Sequence, residues 1–327
     1  MVLLLALALT VAGVVLALNV FTTSSASGSC VVTLDDGTQQ ALDADQADNA
    51  ALFAAVAAHR DLPARAVTVA IATGLQESKL RNIDYGDRDS VGLFQQRPSQ
   101  GWGTVEQIMD PVYSTNAFYD VLVTVEGWEG KAVTDAAQDV QRSAFPDAYA
   151  QHESRGRAFA SALSGYSPAA LTCHLDPQSG ASGDAGAAAA SGGAGAQAAA
   201  PGTPADGPTA TDGQLTATQR LGIIQQRLVR DYVDIASQVG AGGVLEVDAT
   251  SLPAGLAPTP QRQAWGVAQW AVATASQTGA SVVAVDGQAW VRADGDEARW
   301  RPIADAGLPG AIAGAAAAAG PGVVVIA

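Results

Sequence analysis

Residues 176–212 constrain the fold most, because they consist almost entirely of Ala, Gly, Ser, Pro and Asp. The stretch contains no aromatic and no branched aliphatic residue, so it has little apolar surface to bury. Such a composition is typical of a flexible linker. The sequence therefore predicts two folded units, residues 31–175 and residues 213–327, which orient independently of each other.

The first residues form a second constraint, because residues 2–21 are mostly apolar and carry no charge. About twenty such residues in a helix span the hydrocarbon core of a bilayer. Residues 1–22 therefore predict a single-pass membrane anchor with both units on the extracytoplasmic side. The alternative is a cleaved signal peptide, which would release a secreted protein.

Charge and ligand content exclude two classes of function. The formal net charge of −15 argues against a nucleic-acid partner, because affinity for phosphate backbones requires a basic surface. The chain has three His, none paired at ligand spacing, and no CxxC motif. We therefore expect no metal site and no cofactor.

The two cysteines, Cys30 and Cys173, bracket the first unit. In an exported protein this arrangement predicts one disulfide that joins the ends of a domain, with two unpaired thiols as the alternative.

Hydrophobic periodicity predicts a mainly helical first unit. Its second helix begins after Pro63 and ends near Leu80, and a later helical stretch is interrupted at Pro146. The buried stripe of the second helix comprises Val67, Ile71, Gly74, Leu75 and Ser78.

The second unit mixes helices and strands and predicts a small α/β or α+β accessory domain. Residues 214–239 predict an amphipathic helix, and "ASVVAVDGQAWVRA" predicts a hairpin that turns at Asp286 and Gly287. "GVLEV" and "GPGVVVIA" predict further strands. We interpret Trp265, Trp270, Trp290 and Trp300 as packing residues, with a glycan-stacking surface as the alternative. This unit offers a possible surface for a protein partner.

Polar groups are concentrated in residues 74–103, which hold one Glu, three Asp, three Arg and four Gln. Glu77 falls at the edge of the buried stripe, close to the last turn of the second helix. Half-burial and the negative end of the helix dipole both favour a protonated carboxylic acid. Such an acid can protonate a glycosidic oxygen as its bond to the sugar breaks.

Three segments carry a family resemblance: "LQES" at residues 75–78, "SVGLFQQRP" at residues 90–98 and "DPVYSTNAFYDVL" at residues 110–122. In order and spacing they resemble the consecutive motifs of lytic transglycosylases and goose-type lysozymes. The resemblance covers residues 62–149, with Phe94 where the family often has Met. It implies a lysozyme-like, mainly α (α+β) domain that cleaves the β-1,4 bond between N-acetylmuramic acid and N-acetylglucosamine in peptidoglycan strands.

The resemblance also implies roles for individual residues. Glu77 matches the catalytic acid, and Ser78 would help to orient it. The residues expected to line the cleft or to match the later helix are Gly92, Leu93, Gln95, Asn116 and Tyr119. From their chemistry, Gln96, Arg97 and Trp102 would add hydrogen-bond donors and a stacking ring for a sugar chain, although Trp102 has core packing as its alternative.

Two mechanisms remain open at this stage. In the transglycosylase route Glu77 acts alone, first as acid and then as base, and the 6-hydroxyl of the sugar closes a 1,6-anhydro ring. In a hydrolytic route a second carboxylate positions water, and Asp87 or Asp89 would supply it. Both Asp residues have turn formation and local pairing with Arg88 as alternatives. A third hypothesis is a glycan-binding or structural envelope protein without catalysis.

Overall fold

The structure, a computed structural model, describes residues 28–143, 145–177, 216–253 and 259–327. The predicted anchor or signal segment and most of the predicted linker lie outside these ranges. Among the helices of the described ranges, none combines the length and the apolar character needed to cross a bilayer.

The first unit is mainly helical, as the periodicity predicts. Its α-helices are α1 (Ala44–His59), α2 (Ala64–Ser78), α3 (Val105–Ile108), α4 (Pro111–Leu122), α5 (Val133–Gln141) and α6 (Glu153–Leu163). Two 3-10 helices, Pro98–Gln100 and Pro146–His152, complete it. The second of these begins at Pro146, where the sequence predicts the interruption.

Helix α2 carries Glu77 and has clear start and stop signals. It begins after Pro63, which has an extended backbone with φ −67° and ψ 154°. It ends where Lys79 and Leu80 adopt positive φ angles of 55° and 60°. The Leu80 amide then donates to the Gly74 carbonyl at 2.7 Å, which closes the helix and turns the chain toward the motif at residues 90–98.

An aromatic stack joins the motif at residues 90–98 to the helices around it. The ring of Phe94 stacks on Phe53 of α1 at 4.8 Å and on Phe118 of α4 at 4.4 Å between centroids. All three rings are fully buried. Such pairs add roughly 0.5–1.5 kcal/mol beyond area burial, so the stack fixes the position of the motif relative to α1 and α4.

A small antiparallel sheet, which the sequence analysis missed, closes the first unit. Its strands are β1 (Gly28–Thr33), β2 (Gln39–Asp43) and β3 (Leu171–Leu175), in the order β2-β1-β3. Cys30 and Cys173 lie directly opposite each other on β1 and β3 and form the predicted disulfide. Because it closes a loop of sequence separation 143, the chain-entropy model gives a stabilisation of about 4–5 kcal/mol.

The second unit contains a six-stranded antiparallel sheet. Its strands are β4 (Ala236–Gly240), β5 (Val244–Asp248), β6 (Val282–Val285), β7 (Gln288–Val291), β8 (Arg301–Pro302) and β9 (Val323–Ile326), and their order is β4-β5-β9-β6-β7-β8. Its helices are α7 (Ala217–Tyr232), α8 (Pro260–Ala273), α9 (Ala275–Thr278) and α10 (Gly310–Ala318). The predicted hairpin and both predicted strands are confirmed, whereas the helix predicted over residues 214–239 is shorter.

The two faces of this sheet belong to two different cores. Alternate strand residues such as Val283 and Ile326 face α8 and join the main core, whereas Val282 and Val325 join a smaller cluster with α10. Trp265, Trp270 and Trp290 are buried, which confirms the packing interpretation for these three rings.

The structure corrects the expectation that the two units orient independently. Helix α8 is buried along most of its length and shares one hydrophobic core with α1 and α6. Gln269 of α8 accepts a hydrogen bond from the Leu171 amide at 2.8 Å and donates to the Ala162 carbonyl at 2.7 Å. Polar and apolar contacts therefore fix the second unit against the first.

Candidate active site

Glu77 lies in the last turn of α2, half-buried between core and solvent, as the sequence predicts. Its Oε1 accepts a hydrogen bond from the hydroxyl of Tyr149 at 2.7 Å. Its Oε2 accepts no hydrogen bond from the residues that the structure describes. The carboxyl group is therefore held by one oxygen and can offer the other to a substrate.

Tyr149 is a site residue that sequence reasoning missed. It lies in the 3-10 helix Pro146–His152, which packs along the end of α2, and its ring is fully buried. Burial, and then the charge of Glu77 and the hydrogen bond to it, raise the pKa of the Tyr149 phenol well above its usual range. The phenol therefore remains a proton donor at every pH at which a carboxylate titrates. In the sequence, the only indication of this contact is that Tyr149 is the last residue of the region that resembles the family.

Ser78 ties the end of α2 to the second motif. Its hydroxyl lies 2.7 Å from the Leu93 carbonyl and 3.1 Å from the Gly74 carbonyl, and it accepts from the Arg81 amide at 3.2 Å. Ser78 is buried, and its contacts fix the backbone at the helix end that carries Glu77. The predicted role in orientation is consistent with these contacts.

The segment at residues 91–96 forms a tight turn beside this helix end. Val91 and Gln96 pair as an isolated antiparallel bridge. Gly92 has φ +79°, and a Cβ built there would lie 2.9 Å from the Ile108 carbonyl oxygen. Gln95 has φ 47°, and its side-chain amide donates to the Tyr85 carbonyl at 3.2 Å. Gly92 is therefore required by both conformation and space.

The burial of three residues corrects the prediction that their side chains contact the substrate. Leu93 and Tyr119 have no exposed surface and Gln96 has 1%. The Tyr119 hydroxyl donates to the Phe53 carbonyl at 3.0 Å, and Gln96 Nε2 donates to the Ser114 carbonyl at 3.1 Å. A side chain enclosed by core neighbours cannot reach a sugar, so these side chains belong to the core of the first unit.

Asn116 is occupied by an internal network. Arg60 donates to both its backbone carbonyl and its side-chain oxygen at 3.0 Å, and Arg60 also pairs with Asp120 at 2.6 Å. The amide of Asn116 donates to the Val112 carbonyl at 2.9 Å. These contacts join α4 to the end of α1 and leave Asn116 half-buried.

Asp89 is bound within its own loop. Its Oδ1 pairs with Arg97 Nε at 2.8 Å, and its Oδ2 accepts from the Ser99 amide at 2.8 Å. The Ser99 amide, the Arg97 guanidinium and the Ser99 hydroxyl hold the pKa of Asp89 well below its usual range. A carboxylate with these partners is a weak proton acceptor, so the contacts favour a structural role for Asp89 and Arg97.

Of the remaining predicted residues, Asp87 is exposed and Trp102 is partly buried. The Asp87 side chain is 91% exposed and approaches Arg88 only at 3.9 Å. Trp102 is partly buried against the core, and its carbonyl accepts from the Tyr113 hydroxyl at 3.2 Å. The described contacts bring together Glu77, Ser78, Tyr149 and the turn at residues 91–96, but do not bring Asp87 or Asp89 to Glu77.

Comparison of the chain with family models and with curated proteins found no match in either case.

Proposed function

We propose that the protein is a peptidoglycan-cleaving enzyme of the lytic transglycosylase type, in which Glu77 is the only proton-transferring carboxylate. The observation that carries the proposal is the Glu77 carboxyl group, held through Oε1 by the buried Tyr149 while Oε2 has no described partner. The three motifs that resemble those of lytic transglycosylases and goose-type lysozymes support the substrate class, and they imply a lysozyme-like fold for the first unit.

The proton would be carried on Oε2. With Glu77 protonated, Tyr149 donates to Oε1, and Oε2–H donates to the bridging oxygen between N-acetylmuramic acid and N-acetylglucosamine. As the C1–O bond breaks, the proton passes to the leaving sugar. The resulting carboxylate then takes the proton of the muramic acid 6-hydroxyl as that oxygen bonds to C1. Glu77 returns to its protonated form, no water is consumed, and the product carries a 1,6-anhydro ring.

The contacts of Asp87 and Asp89 favour this single-acid route over hydrolysis. An inverting hydrolase requires a second carboxylate that accepts a proton from water. Asp89 accepts from Arg97 and Ser99 instead, and Asp87 extends into solvent. Tyr149 cannot substitute for such a base, because a phenol with a raised pKa does not accept a proton near neutral pH.

Mass spectrometry of fragments released from purified peptidoglycan tests the proposal. The full chain should release anhydro-muramyl ends, and the Glu77→Gln variant should release none. Glu129→Gln is the matched control, because Glu129 is exposed and lies outside the candidate site. Reducing ends in place of anhydro ends would assign a hydrolase and return attention to Asp87 and Asp89. Sedimentation with the wall without any release would assign a glycan-binding protein instead.

The membrane anchor and the cell-wall side of the membrane are part of the same proposal. An apolar segment at residues 2–21 and a disulfide between Cys30 and Cys173 both suit an enzyme that acts outside the cytoplasm. An anchored enzyme would reach peptidoglycan strands from the membrane side. The second unit would then have its own partner or ligand.

A further inference from the structure

The second unit contains a groove of about 440 Å³ at one end of its sheet. It is bounded by the first turns of α7, the turn between β4 and β5, the ends of β6 and β7 and the start of α10. The lining side chains that matter are Arg220, Leu221, Val282, Val291, Leu308 and Ile312. A site of this size suits a small ligand or a short peptide segment.

Two charged residues, Arg220 and Arg292, line this groove. Arg292 donates to the Asp176 carbonyl at 3.0 Å and to the Ala275 carbonyl at 2.9 Å, whereas Arg220 has no counter-ion among the described residues. The Nε of Arg220 is buried without a hydrogen-bond partner. Burial alone lowers the pKa of its guanidinium, with no opposing carboxylate. By contrast, Arg227, Arg230 and Arg301 of the same unit all pair with Asp side chains. In a chain of net charge −15, a partly buried cation without a carboxylate partner is a position where an external anion can bind.

The backbone around the groove adds to this preference. Helix α10 begins at Gly310, and its N-cap residue Pro309 makes no side-chain cap, so the N-cap offers the first amide N–H groups no side-chain acceptor. These amides and the helix dipole favour a negative group. The turn between β4 and β5 lies beside this helix start, because a Cβ built on Gly242 would lie 2.8 Å from the Cβ of Ala311. A Cβ built on Gly243 would meet nothing within 4 Å, so the space over Gly243 is open.

We propose that this groove binds a short peptide segment that carries a free carboxylate and methyl-sized side chains. Arg220 would bind the carboxylate, and the aliphatic walls would take the methyl groups. The peptide stems of peptidoglycan have this chemistry, so the identification of the ligand rests on the proposed function. The second unit would then hold a stem peptide while the first unit cleaves the glycan.

Charge and shape select this ligand over other anions. The guanidinium of Arg220 suits a single carboxylate, which it can bind with two parallel hydrogen bonds. A polyanion would instead be repelled by the net charge of the chain. The walls formed by Leu221, Val282 and Leu308 contribute only apolar surface, so they favour side chains without polar atoms.

The experiment is a titration of the full chain, labelled with ¹⁵N on arginine, with acetyl-D-alanyl-D-alanine and with its C-terminal amide. The Arg220 Nε–H resonance should shift with the acid, and the amide should bind about tenfold or more weakly. Arg220→Gln should reduce the affinity for the acid by the same factor. Arg299→Gln is the matched control, because Arg299 is exposed in the same unit and lies outside the groove.

The proposal would be overturned by no binding of the acid, by equal binding of acid and amide, or by unchanged binding of the acid to the Arg220→Gln protein. Binding of acetate with the same affinity as acetyl-D-alanyl-D-alanine would also overturn it, because the groove would then not recognise the peptide part of the ligand. The Glu77→Gln protein should bind the acid like the parent chain. Binding can therefore be established even if the protein cleaves no glycan, which separates the failure of one proposal from that of the other.

Discussion

At the scale of single residues, the hydrogen bond from Tyr149 occupies Oε1 of Glu77, and in the proposed mechanism this leaves Oε2 for the substrate. Tyr149→Phe removes only the hydroxyl and keeps the buried ring. Hydrogen bonds to a charged partner contribute about 1.5–3 kcal/mol, so we expect kcat to fall about tenfold to a hundredfold with KM nearly unchanged. The measurement is the initial rate of release of soluble fragments from peptidoglycan. Tyr166→Phe, in the turn after α6, is the control, and an equal loss of rate in both variants would contradict a positioning role for Tyr149.

Asp89 provides a second prediction at this scale, on acid stability. The Ser99 amide, Arg97 and the Ser99 hydroxyl hold its folded pKa below the usual range of an Asp, so the ionised form stabilises the fold above that range, and this contribution is lost as the pH falls toward the folded pKa. Asp89→Asn should therefore lower Tm at neutral pH, and the difference from the parent chain should shrink below about pH 4. Thermal unfolding at a series of pH values measures this difference. A difference that is independent of pH would show that the loop does not depend on ionised Asp89.

At the scale of elements, the sequence predicts structure well where the signal is local. Pro63 marks the start of α2, and Asp286 with Gly287 marks the hairpin of β6 and β7. The strands β1 and β3 were missed because each is short, and their pairing joins segments separated by more than a hundred residues. The docking of α8 was missed for the same reason, because the partners of Gln269 lie in the first unit.

The candidate site follows the same rule. Glu77, Ser78 and Gly92 were found because they occur in local motifs. Tyr149 was missed because its role depends on the packing of a 3-10 helix against the end of α2. Leu93 and Tyr119 were predicted to bind substrate because a motif records which residue types recur and not which side of the chain they face.

Gly92 gives the prediction that belongs to this scale. Gly92→Ala places a methyl group 2.9 Å from the Ile108 carbonyl oxygen, at a backbone φ of +79°. Gly101 has a similar φ of +83° with open space around it, so Gly101→Ala isolates the conformational cost, about 1 kcal/mol. Gly92→Ala should lower the free energy of unfolding by at least about 1 kcal/mol more than this control. Urea denaturation of both variants measures the difference. An equal loss of unfolding free energy in the two variants would show that the turn at residues 91–96 accommodates the added methyl group without further destabilisation.

At the scale of the whole molecule, a buried ionic cluster holds the second unit on the first. Arg227 of α7 donates to Asp48 of α1 at 2.9 Å and to Asp231 at 2.8 Å, and Trp270 donates to the same Asp231 oxygen at 2.9 Å. The Asp231 side chain has no exposed surface, and those of Arg227 and Asp48 are only 11% and 14% exposed. A cation between two buried carboxylates is costly to remove, because both carboxylates then lose this counter-ion.

Arg227→Met should therefore lower the free energy of unfolding by about 3–5 kcal/mol near neutral pH, whereas Arg230→Met, at a side chain that is 44% exposed, should lower it much less. Burial already raises the pKa of Asp48 above its usual range, and Arg227 opposes that shift, so removal of Arg227 should raise the pKa of Asp48 further. An acid with a raised folded pKa stabilises the fold below its unfolded pKa and loses that contribution as the pH rises. The difference in free energy of unfolding between Arg227→Met and the parent chain should therefore become smaller as the pH falls toward about 4. Urea unfolding followed by tryptophan fluorescence at both pH values tests this, and two separate transitions in the parent chain would show that the shared core does not couple the units.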